Sequence, residues 1–134
     1  MKALSVRQPW ADSILAGEKW IEFRSRPTHF RGKLLICASK SGPNEYVEIA
    51  GVERALPKGV SLCVVKLINS RPMAETDRNH PGAPDDVSSW YAWEFDDYLD
   101  MVIPKPVKGM VNFFEVPDSE IEIAPEGKFW FHYM

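Results

Sequence analysis

Apolar and polar residues exchange places every one or two positions along most of the 134-residue chain, and only briefly with helical spacing. Gln8–Gly17 is the clearest helical stretch. Trp10, Ile14 and Leu15 share one face, Pro9 suits a first turn, and Gly17 is placed as a C-terminal cap. Lys19–Arg24 alternates instead, with Ile21 and Phe23 on one face and Trp20, Glu22 and Arg24 on the other, as in a half-buried strand. Lys33–Ala38 and Ser61–Ile68 are nearly continuous apolar runs and predict more deeply buried strands. Pro43–Ala50 reads as a second short helix, and Leu56–Gly59 as a loop. Further strands are predicted at Trp90–Phe95, near Tyr98–Ile103 and at Val111–Val116, with an alternating tail at Ile121 and Ile123. Ala74–Ser89 is rich in Asp, Pro, Gly and Asn and predicts a long exposed acidic loop. Five to seven short strands with two small helices make an α+β fold, built on an antiparallel sheet or a small barrel.

Composition narrows this further. With 45% hydrophobic and 26% charged residues, residues 1–134 are expected to form one domain with an ordinary apolar core, not a fibrous or disordered chain. Eleven prolines and eight glycines fit many short elements better than a helical bundle. The net charge of -3 argues against a nucleic-acid partner until its arrangement is read. Residues 1–40 carry eight Lys or Arg against three Asp or Glu, and the remainder carries eight against sixteen. The basic charge is therefore concentrated at the front. Cys37 and Cys63 both sit in apolar runs, and no His or Cys has a partner at metal-ligand spacing, so buried thiols are expected and a structural metal is not. No stretch is long and apolar enough for a membrane helix, and Met1–Arg7 has no signal-peptide core. A cytoplasmic protein is the expectation.

Candidate chemistry gathers between Ser5 and Arg24. A strand ending at Arg7 feeds a helix through Gln8 and Pro9, so the first-turn amides offer an anion site beside the Arg7 guanidinium. Gln8 has the donor and acceptor to read a base edge, and Trp10 is either core or a stacking surface. Alternation groups Glu22 with Arg24, and the long stem of Lys19 can swing toward them. A lysine beside a carboxylate at a cleft mouth suits proton transfer if burial lowers its pKa, whereas exposed it is an ordinary ion-pair ladder. In Trp90–Phe95, Tyr91, Trp93 and Phe95 lie on one face and Trp90, Ala92 and Glu94 on the other; one face is expected to be core and the other to offer a ring to a base, unless all the aromatics fill a barrel. Lys105 and Lys108 belong to a small basic turn among prolines, and Lys108 is a candidate phosphate contact. No phosphate-binding loop, dinucleotide fingerprint, nucleophile elbow or metal cluster is present.

Leu4-Ser5-Val6-Arg7-Gln8-Pro9-Trp10, then Gly17-x-Lys19-x-x-Glu22-x-Arg24, then Arg31-Gly32-Lys33-Leu34-Leu35-Ile36 resembles the ASCH domain, the activating-signal-cointegrator homology family. Tyr91–Phe95 and Pro106–Gly109 are similar to its second half. The resemblance implies a PUA-like, mixed or antiparallel small β-barrel with short helices at the rim. It also implies a cleft for RNA or a modified nucleobase along the Gly17–Arg24 stretch; joined to the local reading, the expected site is Arg7, Gln8, Trp10, Lys19, Glu22 and Arg24, with Trp93 as a stacking candidate and Lys108 as a phosphate contact. No cofactor is implied. Some bacterial members are amidohydrolases of acetylated cytidine, and others are described as ribonucleases. Lys19 matches the catalytic lysine of the amidohydrolases. Glu22, however, stands where they have threonine, and Lys66 is nearest their distal glutamate. A hydrolase using Lys19 and Glu22 is therefore the alternative to a binding module. An adaptor meeting a basic protein through Asp77–Asp86 is a third reading.

Overall fold

The computed structural model describes residues 1–134 and is built on one curled six-stranded sheet. The strands are β1 (Lys2–Val6), β2 (Ile21–Arg24), β3 (Gly32–Ala38), β4 (Tyr46–Ile49), β5 (Val52–Ala55), β6 (Val60–Pro72), β7 (Tyr91–Met101) and β8 (Phe114–Glu115). The sheet runs β2-β7-β6-β3-β1-β8, and β4 and β5 pair separately. Only β1 and β3 are parallel, with Val6 opposite Ala38. The helix α1 spans Trp10–Leu15. Register shifts at Ile36/Cys37, Val65/Leu67 and Leu67/Asn69 bend the long strands and roll the sheet into a half-barrel.

The continuous apolar runs have a physical cause. β3 is covered on both faces: Leu34, Ile36 and Ala38 enter the main core, while Leu35 and Cys37 enter a second one with Val64, Phe114 and Val116. Ala11, Ile14 and Leu15 of α1 close the main core together with Trp93, Phe95 and Trp130. A third cluster, Ile21, Phe23, Met73 and Ala92, lies under residues 74–89.

Several expectations need correction. Pro43–Ala50 is not a helix. Tyr46–Ile49 pairs antiparallel with Val52–Ala55 across a two-residue turn, Ala50-Gly51, with φ of 52° and 80°. Both turn residues occupy the left-handed region, as the twist of a tight hairpin requires. The period-2 pattern of half-buried Val47 and Ile49 between exposed Tyr46 and Glu48 outweighs any helical spacing. The two strands expected between Trp90 and Ile103 are one, Val111–Val116 shortens to Phe114–Glu115, and Ser61–Ile68 extends to Pro72. The alternating tail makes only an isolated bridge, Val102 to Ile123.

Residues 74–89 are not a free loop either. They contain 3₁₀ turns at Glu75–Asn79 and Val87–Ser89. Asp77, 7% exposed, takes two hydrogen bonds from the Arg71 guanidinium at 2.7 and 3.0 Å and one from the Ala74 amide. Arg71 also donates to Glu94 at 2.7 Å, tying the segment to β6 and β7. The Arg71 hydrogen bonds hold the Asp77 carboxyl below the usual carboxylate range. Its stabilisation is therefore present above the ordinary Asp range and is lost as pH falls through the lowered folded value. Asp77→Asn is expected to cost roughly 1–3 kcal/mol at neutral pH. In thermal unfolding its difference from wild type should close in acid, and limited proteolysis should cut within 74–89. An unchanged melting temperature would show that the segment is anchored elsewhere.

Candidate functional site

The two ends of the sheet approach each other without pairing. β8 pairs only with Lys2 and Ala3 of β1, so Ser5 and Val6 have no strand on that side, and β2 pairs only with β7. A side chain spans the seam: Arg24 Nη2 donates to the Ser5 carbonyl at 2.9 Å. A groove of about 920 Å³ opens there, with Arg7, Trp10, Glu22, Arg24 and Lys108 among its walls. Gly109 lies so close to β1 that a Cβ on it would stand 2.3 Å from Ser5 Oγ, so any larger residue there would force the Ser5 hydroxyl to turn aside.

Alternation in β2 delivers Glu22 and Arg24 to the groove as a pair. Glu22 Oε2 accepts from Arg24 Nη2 at 2.8 Å and from Nε at 3.2 Å. Glu22 is only 8% exposed. Lys19 swings to the same carboxylate from behind, with Nζ 3.7 Å from Oε1. It is 2% exposed and donates to the carbonyls of Ile21 and Pro81, the latter at 2.8 Å. Burial pushes its pKa down, and the charge of Glu22 partly opposes that. The ammonium is thus engaged by the fold and is not among the groove walls. Lys66 is not among them either. It pairs with Lys33 across the sheet and places its ammonium over the Tyr98 ring.

The helix entry behaves differently from the sequence expectation. Gln8 is buried, donating to the Pro57 carbonyl at 3.0 Å and accepting from the Asp12 amide at 2.9 Å. The Ala11 and Ser13 amides bond the carbonyls of Arg7 and Pro9. Three of the first-turn amides that were to bind an anion, those of Ala11, Asp12 and Ser13, are therefore satisfied by the protein, and Gln8 caps the helix in place of reading a ligand. Trp10 is 38% exposed and faces the groove. Trp93 is placed in the core: it is 6% exposed, stacks on Phe113 with centroids 5.4 Å apart, and donates from Nε1 to the Arg26 carbonyl. The second indole of the groove is Trp90, and a further cation is Lys40, just after β3. Lys40 was not singled out in the sequence, and Trp90 entered only as part of the face opposite Trp93. Parity separates Trp90 from Trp93, but only the curl of the sheet decides which face is core.

The charge asymmetry becomes spatial. Arg7, Arg24, Lys40 and Lys108 line the groove against the single carboxylate of Glu22. Asp96 and Asp97 border a separate cavity of about 390 Å³ beside Trp20. The acidic segment itself roofs the polar cluster. Gly82, at φ +77°, lies where a Cβ would come within 3.2 Å of both Lys19 Nζ and Trp10 Cδ2. His80 Nε2 accepts from the Trp20 and Ile21 amides, each at 3.2 Å, and the ring meets Trp20 edge-on. Burial, helped by the nearby Lys19 charge, pushes the His80 pKa down to about 4.

A histidine whose folded pKa lies below its ordinary value of about 6.5 opposes folding once protons bind the unfolded chain. The melting temperature is expected to fall as pH drops from about 6.5 toward about 4. His80→Gln, which retains an acceptor, should flatten that portion of a thermal-melt profile. An unaltered slope in the variant would remove His80 from the account.

Two curated relatives, both Activating signal cointegrator 1, are 30% identical in Homo sapiens and 29% identical in Mus musculus, each over 131 residues. The alignments cover 88% of this chain but 22% of each relative, so the chain spans about a fifth of their length. Residues 4–108 match the sequence profile of the ASCH domain, including the end of β1, all of β2 to β7 and the groove residues from Ser5 to Lys108. The chain therefore belongs to the ASCH domain family.

Proposed function

We propose that this chain is a PUA-like binding module that holds RNA, or a nucleotide carrying an ordinary or modified base, in the groove between β1 and β2. The carrying observation is that four cations and two indoles line one groove in a protein of net charge -3. Phosphates call for the cations, and bases stack on exposed aromatic faces at about 1–3 kcal/mol each. The groove volume falls within the few hundred to about 1,000 Å³ of typical small-ligand sites, which suits one or a few nucleotides. The association of the family with RNA binding supports the same class of ligand. We place the protein in the cytoplasm, with Cys37 and Cys63 as free buried thiols.

Arg7, Lys40 and Lys108 are exposed, so they can be removed without disturbing the core. Binding of a short single-stranded RNA, measured by fluorescence anisotropy, should weaken roughly ten-fold between about 50 and about 200 mM salt if two or three phosphates are neutralised. The triple variant Arg7→Ala, Lys40→Ala, Lys108→Ala should bind more weakly and with a shallower salt slope. Wild-type affinity that is insensitive to salt, or retained in the triple variant, would sink the proposal.

A further inference from the structure

We infer that the groove has two chemically distinct poles and that its ligand is a phosphorylated nucleoside whose phosphate sits at the carboxyl ends of β1 and β3. This rests on the nucleotide reading above and adds which atoms of the ligand meet which wall. β1 and β3 are the one parallel pair in the sheet and end level, Val6 opposite Ala38, so the chain leaves both strands on the same side. Crevices outside the carboxyl ends of parallel strands are favoured ligand positions. Here the next residues are Arg7 on one strand and Ser39-Lys40-Ser41 on the other, and all four line the groove.

That corner is built. Ser39 and Ser41 share a hydroxyl–hydroxyl hydrogen bond of 2.8 Å, the Ser41 amide donates to Ser39 Oγ, and Arg7 Nε donates to Ser41 Oγ at 3.2 Å. Lys58 holds the following turn through the Gly42 carbonyl at 2.6 Å. Gly59 lets the Lys40 stem lie against the backbone, since a Cβ there would stand 2.6 Å from Lys40 Cε. Arg7, Lys40 and Lys108 have no carboxylate within 4.0 Å; cations elsewhere such as Arg26, Arg31 and Lys33 also lack one, but these three share one groove, whereas its fourth cation, Arg24, is paired with Glu22. Three unpaired cations on one groove repel each other and are complementary to a multiply charged anion.

At the opposite pole the carboxylate is paired with its own cations. Glu22 is compensated by Arg24 and Lys19, and Trp10, Phe23 and Trp90 supply the rings. Glu22 Oε2 is occupied by Arg24, while Oε1 has only the Lys19 ammonium at 3.7 Å, beyond hydrogen-bond reach. No fully shielded side-chain oxygen or nitrogen lacks a partner, so Oε1 keeps some solvent access, and in the two-pole arrangement it is the acceptor for a base N–H. Base and phosphate therefore have separate seats, with the sugar between them.

The test is titration of the full chain, followed through its amide NMR spectrum, with inorganic phosphate, a nucleoside, its 5′- and 3′-monophosphates and a dinucleoside phosphate. Inorganic phosphate alone is expected to shift residues 39–42 and 107–109. A monophosphate should bind at least about ten-fold tighter than its nucleoside. The double variant Arg7→Ala, Lys40→Ala should bring the monophosphate down to nucleoside affinity and leave the nucleoside unchanged. Trp10→Ala should weaken both. The dinucleoside arm separates a terminal phosphate from a backbone phosphodiester as the source of the anion. Equal affinity for nucleoside and monophosphate, or a double variant that weakens both alike, overturns the two-pole inference while leaving nucleotide binding intact. Phosphate seated at residues 39–42 with no gain from an attached nucleoside overturns the base seat and the nucleotide reading with it.

Discussion

The Glu22 carboxylate is the charge around which the site is organised. A carboxylate this buried is tolerable only with compensation, and it receives two cations from opposite sides. Arg24 meets it from the groove and Lys19 from beneath. Each of those cations then has a second task. Arg24 reaches across to the Ser5 carbonyl and holds the unpaired edges of β1 and β2 together. Lys19 binds the Pro81 carbonyl and draws the acidic segment down over β2. Loss of the carboxylate would leave a buried ammonium and a seam held by one hydrogen bond. The geometry of the groove thus depends on an ion pair where a closed barrel would use a ladder of backbone bonds.

Much of this was legible in order along the chain. The alternation of Ile21–Arg24 placed Glu22 beside Arg24, and the apolar runs of β3 and β6 marked strands with two buried faces. What periodicity could not supply was curvature. A half-barrel rolled by register shifts decides whether Trp90 or Trp93 faces inward, and no local pattern reports that choice. Lys40 was missed for a related reason: it follows a buried strand without a motif, and only the parallel pairing of β1 with β3 brings it beside Arg7. Gln8 misled because a side chain able to bond a ligand is equally able to cap the helix that follows it. The hairpin of β4 and β5 was hidden by its turn, since Ala50 at positive φ is not a residue that announces a left-handed conformation.

The net charge also changes meaning. A small protein with excess acid can still present a basic site if its acids are engaged elsewhere. Asp77 is bound to Arg71, Glu75 to Arg78, and Asp86 to the hydroxyls of Ser88 and Ser89. The remaining negative charge discourages extended contact with a polyanion, and the local field of the groove draws one in.

Gly82 leaves its missing side chain's space to the buried ammonium of Lys19 and the ring of Trp10, and with Pro84 it makes the connection between β6 and β7 one wall of the groove. That wall is tethered at Asp77 and His80 but contributes no strand to the sheet. Apart from those two tethers, residues there can be exchanged without altering any strand pairing. A fold with this design separates the evolution of ligand choice from the evolution of stability: one inter-strand segment can reshape what the groove accepts while the sheet stays as it is.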